Sequence, residues 1–204
     1  MRNWLYQLIL HRTTNECYRS ALDYVSPGSR LLDVGIGNGI MVKALHPLIK
    51  AKRLRITGID IDADYLRRCS ELIRKHQLED YLDVCQGSAE NYVPRQKGCF
   101  DFVLFCLSFM LLRDQRSVLE RAHEWLKPGG QIVFAQAVFK KKSRLVDLAK
   151  PKLKYLTGVE FGTPIYEQDF LAFLQEHGLS IQADQLLAGG WFHSQCRMIA
   201  ASFT

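Results

Sequence analysis

Leu31-Leu32-Asp33-Val34-Gly35-Ile36-Gly37-Asn38-Gly39 decides the fold: an apolar run empties into a glycine-rich turn, and a helical pattern opens at Ile40. Glycine in such a turn permits backbone angles and a close approach that a Cβ forbids. Free N–H groups at the start of the following helix favour a polar or anionic ligand group. A second apolar run ends in Thr57-Gly58-Ile59-Asp60-Ile61-Asp62. Asp60 lies 21 residues past Gly39, the distance at which an acid ending the second strand accepts both hydroxyls of a ribose. Each feature alone has a plainer reading: a tight connection for the turn, a helix cap for the aspartate. Asp62 is itself a cap candidate for the helix near Asp64. Found together in this order, they point to nucleoside binding.

Working outward, strand-like runs recur at 30–34, 54–59, 82–85, 100–107, 131–138, 179–187 and 195–203. Helical patterns lie between most of them, at 40–48, 64–76, 115–126 and 168–177, and one precedes them all, from Trp4 to Tyr24. Lys127-Pro128-Gly129-Gly130 is expected to stop a helix and turn the chain into a strand. Such alternation predicts an α/β fold, a doubly wound and mostly parallel seven-stranded sheet with helices on both faces. Only Ala188 to Ser194 separates the last two runs, which leaves no room for a crossover helix and makes the last strand antiparallel. The expected organisation is one domain over 1–204. Within it, a helical segment at 1–27 lies across the end of the sheet, and an insertion occupies 140–168.

With 204 residues, 48% of them hydrophobic, the chain has enough apolar surface for a substantial core. The apolar stretch Trp4–Leu10 is short, runs into His11 and Arg12, and lacks the pattern of a cleaved leader. Phe100–Leu112 is too short to span a bilayer as a helix. The six cysteines form no C-x-x-C pair and no metal-ligand spacing, so reduced thiols and a cytoplasmic setting are expected. The net charge of +6 is local: from Lys140 to Lys154 seven bases stand against one acid, Asp147, and the rest of the chain is balanced. Lys140, Lys141, Lys142, Arg144, Lys150, Lys152 and Lys154 are interleaved with apolar residues, and Pro151 breaks any helix there.

Ile40 stands where the dinucleotide fingerprint G-x-G-x-x-G requires glycine, so the spacing here is G-x-G-x-G instead. Asp33-Val34-Gly35-Ile36-Gly37-Asn38-Gly39 resembles the first motif of the class I S-adenosylmethionine-dependent methyltransferases, in particular their small-molecule, ubiquinone-methyltransferase-like group. Gly58-Ile59-Asp60-Ile61 is similar to the second motif, Gln86-Gly87-Ser88-Ala89-Glu90 to the third and Phe100-Asp101-Phe102-Val103-Leu104 to the fourth. Trp125-Leu126-Lys127-Pro128-Gly129-Gly130 resembles the turn before the fifth strand. The resemblance is close over about 28–138 and looser over the last 25 or so residues. It implies the Rossmann-like methyltransferase fold, with S-adenosyl-L-methionine as cofactor and S-adenosyl-L-homocysteine as product.

By that resemblance Gly35 and Gly37 approach the methionine part of the cofactor, within the Gly35–Gly39 turn that includes Asn38, and Asp33 meets the amino group. Asp60 holds the ribose, Ile61 lies against the adenine face, and Ser88 and Ala89 meet the adenine edge. Family members often carry an aspartate at the position of Ser88. Phe105, Cys106 and Leu107 border the methyl group, with plain core packing as the alternative for Ile61, Phe105 and Leu107. No catalytic residue stands out, because alignment and exclusion of water supply much of the rate of methyl transfer. His193 and Tyr166 are possible acceptor contacts. The basic insertion is read as a lid or docking surface for an anionic or membrane-associated small-molecule acceptor, against the simpler reading of a solvated charged face. Nucleic acid is disfavoured as substrate, since no recognition module accompanies the fold. A cofactor-binding protein without catalysis and a nicotinamide-dependent oxidoreductase are the other classes compatible with a nucleoside site.

Overall fold

A computed structural model describes residues 2–140, 142, 164–189 and 194–204. Its elements follow the expected alternation: α1 (Arg2–Tyr24), β1 (Arg30–Val34), α2 (Ile40–Ala51), β2 (Arg55–Asp60), α3 (Ala63–Lys75) and β3 (Leu82–Gln86). Then come β4 (Phe100–Cys106), a 3-10 turn (Phe109–Leu111), α4 (Gln115–Trp125), β5 (Leu126–Phe139), α5 (Glu167–Glu176), β6 (Leu179–Gly189) and β7 (Ser194–Phe203). The strands form a seven-stranded sheet in the order β3-β2-β1-β4-β5-β7-β6. β1 to β5 pair in parallel, and β7 runs antiparallel to both β5 and β6. This is the Rossmann-like methyltransferase architecture with its reversed last strand.

Strand alternation sorts the interior into two cores. Leu31, Val133 and Ala200 face α1, α2 and α3, whereas Leu32, Ile132, Phe134 and Ile199 face α4 and α5. α3 and α4 start where side chains satisfy their first N–H groups. Asp62 caps α3 by accepting from the N–H groups of Asp64 and Tyr65, as its sequence position suggested, and Asp114 caps α4 through Ser117. α2 differs: Gly39 precedes it in a left-handed conformation and brings no side-chain cap.

α1 is tied down at its C-terminal end. Lys52 Nζ donates to the carbonyls of Leu22, Asp23 and Val25 at 2.7, 2.7 and 2.8 Å, a cation placed on the carbonyls that close a helix. Lys127-Pro128-Gly129-Gly130 does not separate helix from strand as expected. Leu126 already pairs with Phe100, the next pair is Gln131 with Phe102, and the four residues between are the longer side of a bulge. Lys127 Nζ meets Asp101 Oδ1 at 2.6 Å across that bulge.

The sheet order reverses direction between β1 and β4, so the connections after those strands leave toward opposite faces and open a crevice at their carboxyl ends.

Candidate functional site

The turn after β1 folds onto the tip of β2. Gly35 and Ile36 donate their N–H groups to the Ile59 carbonyl at 2.8 and 3.1 Å. Gly37 N–H donates to Asp60 Oδ2 at 2.9 Å, and Asp62 N–H to Asp60 Oδ1 at 3.0 Å. Each Asp60 oxygen therefore has one backbone donor and keeps a lone pair for another. The carboxylate is oriented by the chain and remains able to accept a pair of hydroxyls.

Glycines 35 and 37 meet different demands. Both have positive φ, +81° and +65°. A Cβ on Gly35 would stand 2.7 Å from Ser108 Cβ, so the loops after β1 and β4 touch only because that atom is missing. A Cβ on Gly37 would meet nothing within 4 Å, so this position faces open space at the crevice. Ser108 is itself buried and donates to the Val34 carbonyl. Asn38 is half-buried, and Gly39 packs on Cys69 and Leu72 of α3.

Asp33, one residue before the end of β1, is fully buried, and neither carboxylate oxygen has a hydrogen-bond partner among the described residues. Burial pushes its carboxyl up to about 7; the Tyr18 hydroxyl pulls the other way, and the charge of Asp60 adds to the rise. Tyr18 acts by proximity, because its hydroxyl does not reach hydrogen-bond geometry with either oxygen. An interior carboxyl without a partner is unfavourable, and a cation brought to it restores its charge.

Ile61 follows Asp60 with 71% of its surface exposed, an aliphatic side chain left standing beside a charged one. Gly87 N–H donates to the Asp60 carbonyl at 2.9 Å, which brings the half-buried Ser88 and the buried Ala89 to the same end of the sheet. The residues after Leu104 part company. Phe105 is enclosed, stacked on Phe134 with centroids 5.5 Å apart and edge-on to Phe109 at 5.2 Å. Cys106 lies in the opposite core beside Cys17, and burial raises its thiol above the ordinary value. Leu107 is half-buried, packs against both cores and adopts φ +58°, a left-handed backbone rare for a side chain of this kind.

S-adenosylmethionine suits these residues: an unpartnered buried carboxyl for an ammonium, open space at Gly37, an anchored carboxylate with free lone pairs and an exposed aliphatic surface. Sequence reasoning missed Tyr18 as the neighbour of Asp33; its only signal was a phenol among the apolar positions of α1. Ser108 carried none. Tyr166 precedes α5 and bridges to Phe139, while His193 lies outside the described residues, as does most of the basic run. Of that run, Lys142 pairs with Asp169 at 2.8 Å. Among the described residues no helix is long and apolar enough to cross a membrane.

Comparison with known proteins gives a consistent result. The family model described as a methyltransferase domain matches residues 32–134. A ubiquinone/menaquinone biosynthesis C-methyltransferase of Wigglesworthia glossinidia brevipalpis is 28% identical over 126 residues, 60% of this chain and 50% of that protein. A ubiquinone biosynthesis O-methyltransferase of Erwinia tasmaniensis is 30% identical over 121 residues, 58% of this chain and 46% of that protein. The chain thus spans about half the length of these curated relatives. The crystal structure of a SAM dependent methyltransferase from Aquifex aeolicus superposes with a TM-score of 0.70 at 18% identity, covering 93% of this chain and 92% of that one.

Proposed function

The chain belongs to the class I S-adenosylmethionine-dependent methyltransferases, and from that premise we propose that it moves the methyl group of this cofactor to a small-molecule or lipid-like acceptor by in-line transfer. The observation that carries the reading is the pairing of Asp60, held by Gly37 N–H, with the unpartnered Asp33 on neighbouring strands. When bound, S-adenosylmethionine supplies an electrophilic methyl carbon on a sulfonium.

The chain's own residues bind and orient. Asp33 takes the ammonium group and becomes fully ionised in doing so. Asp60 accepts the ribose hydroxyls through the lone pairs its backbone donors leave free. Ile61 covers one face of the adenine, and Ser88 and Ala89 meet its edge. Gly37 leaves room for the chain that joins these two ends. Leu107, at the end of β4, borders the reacting centre and helps keep water out. An aligned acceptor in a dry site gains most of its rate from geometry, so the reading requires no covalent nucleophile.

Calorimetry with S-adenosylhomocysteine tests the reading. One site per chain is expected, and a folded protein that gives no binding heat overturns it. The local excess of positive charge in 140–154 favours an anionic or membrane-associated acceptor. Replacing Lys140, Lys141, Lys142 and Arg144 by glutamine is expected to lower turnover and flatten its salt dependence. Unchanged values of both would end that part.

A further inference from the structure

Gln136 is a polar residue in an apolar position. It lies on β5 with no exposed surface, and neither its Oε1 nor its Nε2 has a hydrogen-bond partner among the described residues. A buried carboxamide left unpaired is uncommon in folded proteins and disfavours the fold that contains it. The residue is also at a telling place. Its neighbour Ala135 pairs with Cys106, the last residue of β4, and accepts the N–H of Leu107 at 2.9 Å. Gln136 therefore stands one step beyond the end of β4, at the same end of the sheet as the glycine turn.

Strand alternation turns Gln136 to the side of Phe134 and Val138, away from Asp33 and α1. Phe134 sits in an aromatic cluster with Phe105, Phe109 and Phe170. Directly across the ladder from Gln136 is Arg197. That guanidinium is already committed, to Asp184 on β6 and to Glu167 at the start of α5. Two carboxylates around one cation leave this corner with a local charge of −1, which repels a carboxylate or phosphate. A carboxamide, by contrast, both donates and accepts without charge, and cannot take a proton at ordinary pH. The matching ligand group is a hydroxyl, which accepts from Nε2 and donates to Oε1, on a molecule whose remainder is apolar enough to lie against the aromatic cluster.

We infer that Gln136 recognises a neutral hydroxyl group on an apolar or aromatic methyl acceptor, setting that acceptor's position at the end of β4. It is a specificity residue, with no part in proton transfer. The inference rests on the methyltransferase reading of the same site and names its substrate class. Any anionic handle of the acceptor then lies away from this corner.

The test uses the full chain loaded with S-adenosylhomocysteine, and two probes: 4-hexylphenol and its methyl ether, which lacks the hydroxyl hydrogen. Binding is measured by calorimetry for the wild type, Gln136→Leu and Gln136→Met, with thermal melts for each. The wild type should prefer the phenol by roughly ten- to hundredfold, and both variants should reduce that preference to about twofold or less. S-adenosylhomocysteine affinity should stay unchanged in both variants and their melting temperatures should not fall, since an unpaired amide has been removed. A wild type that binds S-adenosylhomocysteine but shows no preference, or binds neither probe, overturns the inference and leaves the methyltransferase reading standing. A preference that survives both substitutions overturns it as well. If both variants lose stability and S-adenosylhomocysteine together, the amide serves the fold, by way of a buried water, and the inference is wrong. Failure of the wild type to bind S-adenosylhomocysteine removes the reading beneath it.

Discussion

The two halves of the sheet place polar groups in their interiors by opposite means. Around β1 and β2, the donors that orient the Asp60 carboxylate and the acceptor that holds the turn all come from residues 33–62: Asp60 is held by Gly37 and Asp62, and the turn hangs on Ile59. Around β5 and β7, Gln136, Glu167, Asp184 and Arg197 come from four separate elements. The first arrangement is set by local chain geometry and survives wherever that stretch folds. The second exists only after long-range pairing of β5, β6, β7 and α5. A residue of the second half can therefore change without moving the hydrogen bonds that orient Asp60, and under the proposed function acceptor choice can vary over a fixed cofactor site.

The largest effect expected from this contrast is at Asp60. Asp60→Ala removes the acceptor of two backbone N–H groups along with the proposed ribose contact, and should weaken S-adenosylhomocysteine by at least about a hundredfold in calorimetry. Normal binding by this variant would break the contrast outright.

Asp33 sharpens it through pH. Its carboxyl is lifted from 3.8 to about 7 in the folded chain, so between roughly pH 4 and 7 the native state holds the proton more tightly than the unfolded one. Stability from this group is present below that window and is lost as pH rises through it. Asp33→Asn should be more stable than the ligand-free wild type at pH 8, by on the order of 4 kcal/mol, and melt higher, with the gap closing toward pH 4. The same variant should bind S-adenosylhomocysteine poorly. Wild-type affinity should rise from pH 6 to 8, and the variant should lack that rise. A lower melting temperature at pH 8 would show that the carboxylate is structural.

Arg197→Met addresses the other half. It strands two partly buried carboxylates and should cost about 2 kcal/mol in chemical denaturation, with cofactor affinity untouched. Loss of cofactor binding would mean the halves are coupled. The smallest effect belongs to Lys52→Met, which leaves three carbonyls at the end of α1 without their donor. About 1 kcal/mol of stability should go, with a modest loss of affinity because α1 brings Tyr18 to Asp33. An unchanged melt would show that α1 is held by its apolar face alone.

The contrast also explains what the sequence disclosed. The glycine turn, Asp60 and the Asp62 cap were readable because their partners lie within a few dozen residues. The antiparallel end of the sheet was readable because Ala188–Ser194 is too short for a crossover. Gln136 passed unnoticed inside the apolar run 131–138, since nothing in one strand says which of its residues will lack a partner. Phe105 and Leu107 are two apart in sequence, yet one is enclosed in an aromatic cluster and the other stands at the sheet's end. That difference arises where β4 stops, and pairing with β5 decides it. Arg197 gave no hint of holding Glu167 and Asp184, because those partners meet it only across the finished sheet.

β7 lies between β5 and β6 in the sheet but follows both in the chain. During synthesis, β6 must therefore wait with neither flank paired until the ten residues Ser194–Phe203 have been added, a delay of about one to two seconds at ordinary elongation rates. Until then β5 also lacks its outer neighbour, and the nascent protein carries a ready-made template for stray strands. Chaperone dependence and aggregation during expression should accordingly respond most to changes that slow or weaken this last insertion.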